Sequence, residues 1–190
     1  MKNRTILFLL FVLMVGVQWF VPTRMINQKH SIAVEGRQYK FQMSPLDVED
    51  PFRGKYLQLR FTVDHYKADS NYTWKSGDVV YVLLKKNAQD FVRVSGLTSS
   101  LPNGDDDFVK ATVRHAFGKD SLQVYIDYPF DRYYINDNIP DTLEQVLLGN
   151  LKDSSTINYA LVRIKSGEAV LEEVYIDSVS ISEWYDRIKK

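Results

Sequence analysis

The stretch YLQLRFTV at residues 56–63 alternates apolar and polar side chains. Leu57, Leu59, Phe61 and Val63 would share one face of an extended strand, because successive side chains of a strand point to opposite faces. The residues between them are Tyr, Gln, Arg and Thr, which suit a face that meets solvent. This period of two predicts a half-buried β-strand.

The same period recurs along most of the chain. Further predicted strands are DVVYVLL from Asp78, DFVRVSGL from Asp90, FVKATVR from Phe108, LQVYIDY from Leu122, INYALVRI from Ile157 and AVLEEVYI from Ala169, with weaker candidates in RQYKFQM and SVSIS. KSGE at residues 165–168 and KKNAQD at residues 85–90 each predict a hairpin turn. Short strands separated by turns predict a mainly β (α+β) domain, built as an antiparallel sandwich or barrel-like sheet.

One helix is predicted to pack on this sheet. In PDTLEQVLLGNL (residues 140–151), Asp141 can be the N-cap and Glu144 falls at N3, as in a capping box. The apolar side chains on one side of this helix are Leu143, Val146, Leu147 and Leu151. SEWYDRIKK near the end of the chain predicts a second, short helix.

Composition excludes several classes of function. The 24 Lys and Arg residues balance 24 Asp and Glu residues, which argues against a nucleic-acid partner because phosphates require a basic face. The absence of Cys excludes disulfides, thiolate nucleophiles and zinc–thiolate sites. His30, His65 and His115 lack the spacing of paired metal ligands, and the acidic run at residues 105–107 lacks the alternation of a calcium loop. We therefore predict no metal and no cofactor.

The N-terminal segment ILFLLFVLMVGVQWFV (residues 6–21) is apolar except for Gln18, and Lys2 and Arg4 precede it. As a helix it covers roughly 24 Å, and the flanking residues extend it towards the ~30 Å of a hydrocarbon core. A transmembrane anchor is the prediction. A cleaved signal peptide has the same basic start and apolar centre, and it stays as the alternative, although the small-x-small cleavage site is poor.

The charges around this segment predict its orientation. A short N-terminal tail with two cations is typical of a signal anchor whose N-terminus stays in the cytoplasm. The predicted organisation is a signal anchor at residues 1–24 and an extracytoplasmic β-rich domain at residues 25–190. The lipid bilayer is then the first predicted partner.

DPFRGKYLQLRF (residues 50–61) resembles the signature of the GDYxxLxY family of membrane-anchored proteins. Gly54, Tyr56 and Leu59 stand where that motif has Gly, Tyr and Leu. Lys55 replaces the motif's Asp, and Phe61 replaces its final Tyr. Since Lys55 reverses the charge of the motif's Asp, no catalytic or metal-binding role is predicted at that position.

A second motif of the same family lies further along the chain. Arg132, Tyr133 and Tyr134 in YPFDRYYI resemble its Arg-Tyr-Phe signature, and the acidic sequence DTLEQ follows as the resemblance requires. The resemblance implies a single-pass protein of the bacterial inner (cytoplasmic) membrane with no established activity. It also implies association with a multi-span membrane protein.

We hypothesise that the two motifs meet across the sheet in one polar cluster. Gly54 would turn the chain into the strand, and Tyr56 offers a ring that packs and a hydroxyl that forms hydrogen bonds. Arg132 would stack on a ring in the corner formed by Arg53 and Tyr56. Structural pinning of the sheet is the first interpretation, and contact with a ligand or partner is the second. No catalytic residue is predicted.

Two other features suggest binding or chemistry. NYTWKSG (residues 71–77) carries Tyr72 and Trp74 among small and polar residues, which suggests a recognition loop with exposed rings. RGKYLQLRF (residues 53–61) also loosely resembles the RGD strand of type I signal peptidases. That resemblance implies a Ser nucleophile after the anchor and a Lys base, for which Ser31, Lys40 and Lys110 are nominal candidates without a supporting motif.

The predicted function is therefore that of a non-enzymatic, membrane-anchored envelope protein that assembles with a multi-span membrane protein. A small-molecule or glycan-binding envelope module is the alternative, and a Ser–Lys hydrolase is the third. A deep aromatic pocket would favour ligand binding, and a Ser hydroxyl within hydrogen-bond reach of a Lys amine would favour the hydrolase.

Overall fold

Strands form at each of the runs of alternating residues described above. The computed structural model describes residues 2–44, 56–68, 74–103, 107–118, 122–134, 149–151, 153 and 156–188. The strands are β1 (Arg37–Gln42), β2 (Tyr56–Gln58), β3 (His65–Ala68), β4 (Val79–Lys86), β5 (Val92–Thr98), β6 (Phe108–Phe117), β7 (Leu122–Asp127), β8 (Arg132–Tyr134), β9 (Tyr159–Lys165), β10 (Glu168–Ile176) and β11 (Val179–Ser180). The helices are α1 (Lys2–Glu35) and α2 (Ile181–Ile188), and residues 149–151 are also helical.

The strands form three antiparallel groups that together make a near-closed sheet. Their orders are β1-β9-β10-β11, β2-β8 and β3-β7-β6-β4-β5. Isolated bridges join the groups: Lys40 pairs with Phe91, and Val109 pairs with Gly167. The prediction of a mainly β, antiparallel, sandwich-like or barrel-like domain is confirmed.

One core fills the space between the inner faces of these strands. Leu57, Leu59 and Phe61 are buried in it, as the alternation in YLQLRFTV predicts, although the regular strand ends at Gln58. Phe41 lies at the centre, in edge-to-face contact with Phe61 at 5.6 Å between ring centroids. Such pairs stabilise a core beyond the area that they bury.

Both predicted hairpin turns are present. Lys165 pairs with Glu168 across the β9–β10 turn, where Gly167 has a positive φ of 83°. Between β4 and β5, the Asn87 side chain accepts hydrogen bonds from the backbone N–H groups of Gln89 and Phe91. These contacts are local, which explains why short sequence motifs predict them.

The predicted helix at residues 140–151 lies mostly outside the described residues, including Asp141, Leu143, Glu144, Val146 and Leu147. Of its proposed apolar face the structure describes Leu151, which is buried in the core. The short C-terminal helix is present as α2, and its Ile181 is buried.

The N-terminal helix extends well beyond the predicted anchor. α1 continues through Pro22 to Glu35, and its apolar stretch, with mean hydropathy 2.2, is long and apolar enough to cross a membrane by length and composition. At the turn containing Pro22, the Thr23 hydroxyl donates to the Trp19 carbonyl at 2.8 Å. The segment that the sequence assigns to the start of the domain is therefore a continuation of the same helix.

The last turns of α1 pack against the β9–β10 hairpin. Ile32 is 2% exposed, and Lys29 Nζ donates to the Ala169 carbonyl at 3.3 Å. Lys165 on β9 contacts the helix through Glu35, with which it forms an ion pair. These contacts fix the end of α1 to the sheet.

Gly36 permits this close approach at the end of α1. A Cβ at this position would lie 2.3 Å from the Ile32 carbonyl oxygen and 3.2 Å from the backbone nitrogen of Ile164. Real side chains do not tolerate such a contact with backbone, so the helix could not end this close to β9 with a larger residue here.

Candidate functional site

The short ribbon formed by β2 and β8 brings the two sequence motifs together. Tyr56 lies opposite Tyr134, Leu57 opposite Tyr133, and Gln58 opposite Arg132. The sequence did not predict β8 as a strand, because three residues are too few to show a period. Pairing with a distant segment, rather than local propensity, creates this ribbon.

The outer face of the ribbon carries the predicted arginine–tyrosine contact. The Arg132 guanidinium carbon lies 5.1 Å from the centroid of the Tyr56 ring, a cation–π distance. The Tyr56 and Tyr134 rings are 5.9 Å apart, and Tyr134 is 70% exposed. We call Tyr56, Gln58, Arg132 and Tyr134 the ribbon surface. Arg53 and Gly54, the other members of the hypothesised cluster, lie outside the described residues.

Asp131, the residue before β8, holds the ribbon surface in place through hydrogen bonds. Its backbone carbonyl accepts a hydrogen bond from Leu59 N–H at 2.7 Å, and its carboxylate accepts one from the Gln58 amide at 2.9 Å. The same carboxylate lies 3.9 Å from Arg132 Nε. Sequence reasoning missed Asp131 and Gln58, although both adjoin motif residues. Leu59 is buried, so its place in the motif is explained by packing.

Tyr133 points to the inner side of the ribbon. Its hydroxyl donates to Glu173 Oε1 at 2.7 Å, and Glu173 also accepts from Ser182 Oγ and from the backbone N–H of Val174. Burial, and then the hydrogen bond to Glu173, raise the pKa of Tyr133 above its ordinary value. This network joins β8 to β10 and α2, so Tyr133 stabilises the fold from inside.

The expectation of an exposed ring at Trp74 is wrong. Trp74 is 9% exposed and belongs to the hydrophobic core. Burial of the large indole removes apolar area from water and outweighs the polar character of its sequence neighbours. A ring in the core offers no surface for recognition, and Tyr72 lies outside the described residues.

A mixed polar and apolar cleft of about 350 Å³ lies where β6 and β7 meet the β9–β10 turn. Its lining includes Lys110, Asp127 and Glu168, which give it charges of both signs. Asp127 is engaged by Arg114 at 2.6 Å, and Glu168 lies 3.8 Å from Lys29 of α1. The cleft is large enough for a small polar molecule.

One Ser–Lys contact is present. Lys165 Nζ donates to Ser31 Oγ at 2.7 Å, the distance that the hydrolase alternative requires. The same ammonium pairs with Glu35, and the Lys165 side chain is 40% exposed. Lys165 Nζ donates to the serine in this contact, whereas a general base must accept the proton of the serine hydroxyl. The arrangement therefore fits a contact that holds α1 on the sheet better than it fits a nucleophile with its general base.

The histidines of the sheet take part in ring stacking. His115 stacks on Tyr125 at 4.4 Å between centroids, and His65 packs beside the same tyrosine at 5.8 Å. Within the described part of the chain, no group of three His, Cys, Asp or Glu side chains could hold a metal ion.

Comparison with protein-family models identifies a family that this chain matches. A family model described as "GDYXXLXY protein" matches residues 18–174, more than half of the chain. The matched range contains the β2–β8 ribbon and most of the sheet. No curated protein matches the chain, and no solved structure does.

Proposed function

The chain belongs to the GDYXXLXY protein family, and from that premise we propose that it is a non-enzymatic, single-pass protein of the bacterial inner membrane. In this proposal α1 holds the β-rich domain outside the cytoplasm. The domain then assembles with a multi-span membrane protein. No catalytic step is assigned to any side chain.

The observation that carries this proposal is the exposed apolar surface of α1. Apart from Val15, which is partly buried, the side chains of residues 6–21 are exposed, and the large apolar ones among them are between about half and three-quarters accessible. Apolar surface in water costs about 25 cal/mol per Å². The helix is long and apolar enough to cross a bilayer, where the same surface is favourable, and this supports the proposed anchor.

The rigid connection of α1 to the domain supports assembly rather than simple tethering. From Val21 to Glu35 the helix rises about 21 Å without interruption. Contacts at Lys29, Ile32 and Glu35 then fix its end to the β9–β10 hairpin. A domain held at one height and orientation presents the same surface to a neighbour in the membrane, which lowers the entropic cost of binding.

Native membranes provide the test. The full-length, C-terminally tagged chain should resist alkaline extraction and, in mild detergent, migrate in a complex with a multi-span protein at fixed stoichiometry. An unrelated single-pass protein with the same tag is the control. Release of the chain by alkali, or migration as a lone protomer, would contradict the proposal.

A small-molecule-binding envelope module is the second candidate, and the cleft beside the β9–β10 turn is the observation that favours it. Lys110 and Glu168 would hold opposite ends of a ligand with both charges. Screening of polar metabolites by thermal shift, repeated with Lys110→Ala, tests it. A stabilising ligand whose effect is lost in the variant would favour this candidate over assembly.

A further inference from the structure

We infer that Gln18 marks the face of α1 that binds a transmembrane helix of the partner, and that this helix ends at the membrane surface beneath the β domain. The inference rests on the proposed function and names the binding site and the chemistry of the partner.

Gln18 is the polar exception in an apolar span. Its carboxamide carries two donor hydrogens and an acceptor oxygen, and the side chain is exposed on the helix. Pro22, four residues later, has no N–H, so the helical hydrogen bond to the Gln18 backbone carbonyl cannot form. One residue thus presents both a side-chain amide and an unoccupied helical carbonyl to hydrocarbon, which supplies no partner for either.

The geometry of α1 places Gln18 on the same side as the domain. At about 100° per residue, Gln18 lies within about 20° of Lys29 and about 40° of Ile32 around the helix axis. Lys29 and Ile32 pack on the β9–β10 hairpin, and Ser31 and Glu35, which contact Lys165 of the same hairpin, lie about 140° and 100° from Gln18. Gln18 therefore lies on the Lys29 and Ile32 side of the surface that packs on the domain, and a helix that contacts it lies under that side.

This position disfavours a second copy of the chain as the occupant. Packed helices run 8–10 Å apart, and a parallel copy of α1 would continue about 21 Å beyond Val21. The hairpin that contacts Lys29 begins only about 12 Å beyond Val21 and stands in its path. The occupant is instead a helix with a hydrogen-bonding side chain at the depth of Gln18, followed by a short loop. Helices of this kind are found in multi-span proteins.

Site-specific photocrosslinking in native membranes tests the face. Met14 lies about 40° from Gln18 around α1, whereas Leu13 lies about 140° away at nearly the same depth. We expect a crosslinker at position 14, but not at position 13, to form adducts with a transmembrane peptide of a multi-span protein. Gln18→Leu should weaken the adduct about 3- to 30-fold, as the loss of one interhelical hydrogen bond predicts, and Gln18→Asn should retain it.

A swapped variant controls for hydropathy and insertion. Combining Gln18→Phe with Phe20→Gln keeps the composition of the span but moves the carboxamide about 160° around the helix. The adduct at position 14 should disappear although the chain still inserts. Because the natural chain has no Cys, Met14→Cys also reports any second copy at this face without interference.

The outcomes separate the two proposals. Three results would overturn the inference while the native complex persists. They are adducts mainly at position 13, an adduct at position 14 that Gln18→Leu does not weaken, and a disulfide-linked dimer through Met14→Cys. Absence of any complex in the wild-type chain would overturn the proposed function, and the inference with it.

Discussion

Replacing Gly167 with Ala adds one methyl group to the β9–β10 turn, on which α1 packs. Gly167 has φ of +83°, a conformation that costs a residue with a Cβ about 1–2 kcal/mol. The new Cβ would also lie 2.4 Å from a ring carbon of Phe108, and overpacking of this kind costs about 1–3 kcal/mol. We expect Gly167→Ala to lower the free energy of unfolding by about 2–5 kcal/mol.

Gly77 supplies a matched control for the backbone term. It has φ of +91°, and no described atom lies within 4 Å of a Cβ built there. Gly77→Ala should therefore cost only about 1–2 kcal/mol. Urea unfolding of the full chain in detergent micelles, followed by tryptophan emission, measures both variants. Trimming the ring with Phe108→Leu should recover part of the loss in Gly167→Ala, and equal losses in the two Gly variants would refute the reasoning.

Three further substitutions test the site residues. Trp74→Ala should destabilise the domain by about 3–5 kcal/mol, because the indole is buried. Tyr133→Phe removes the hydrogen bond to Glu173 and should cost about 1–2 kcal/mol at neutral pH. Because folding raises the pKa of Tyr133, the protonated side chain contributes its full stabilisation below about pH 10, and this contribution is lost as the pH rises further. Between neutral and alkaline pH, the free energy of unfolding should therefore fall less in Tyr133→Phe than in the wild-type chain. Arg132→Lys replaces the planar group over Tyr56 and should cost less than about 1 kcal/mol.

Urea unfolding of these variants, and the migration of their native complexes, would also reveal results that contradict the predictions. If Trp74→Ala changed the free energy of unfolding by less than about 0.5 kcal/mol, the Trp74 ring would be exposed rather than buried. If the free energy of unfolding of Tyr133→Phe depended on alkaline pH as in the wild-type chain, Tyr133 would not stabilise the fold through its hydrogen bond to Glu173. A loss well above about 1 kcal/mol for Arg132→Lys would assign the ribbon surface to structural pinning, whereas lost assembly at full stability would assign it to partner contact.

Local patterns predicted most of the sheet because burial alternates along each strand. In β6, Val109, Ala111 and Val113 are buried, and Lys110, Thr112 and Arg114 are exposed, as the alternation in FVKATVR predicts. β3 was missed because HYKA contains too little contrast between apolar and polar residues. Its position depends on pairing with β7, a long-range contact that no short window contains.

The site was predicted in part for the same reason. The contact between Arg132 and Tyr56 was hypothesised from two motifs, but its support by Asp131 depends on the fold. Trp74 was misjudged because its sequence neighbours do not report what packs on it in three dimensions. The extension of α1 to Glu35 was missed because the apolar run ends at Val21 and the residues after it mix polar and apolar side chains, whereas packing on the hairpin favours continuation of the helix.

Thiol labelling at Val34 tests most directly whether α1 remains in the bilayer with the domain outside. Val34 is 62% exposed and lies beyond the apolar span, and the chain has no other thiol to react. In intact cells, a membrane-impermeant maleimide should label Val34→Cys on a full-length, membrane-bound chain, whereas Arg4→Cys should react only after lysis. A labelled chain that begins after Val21 and is free in solution would contradict the anchor, and labelling of Arg4→Cys alone in intact cells would reverse the orientation.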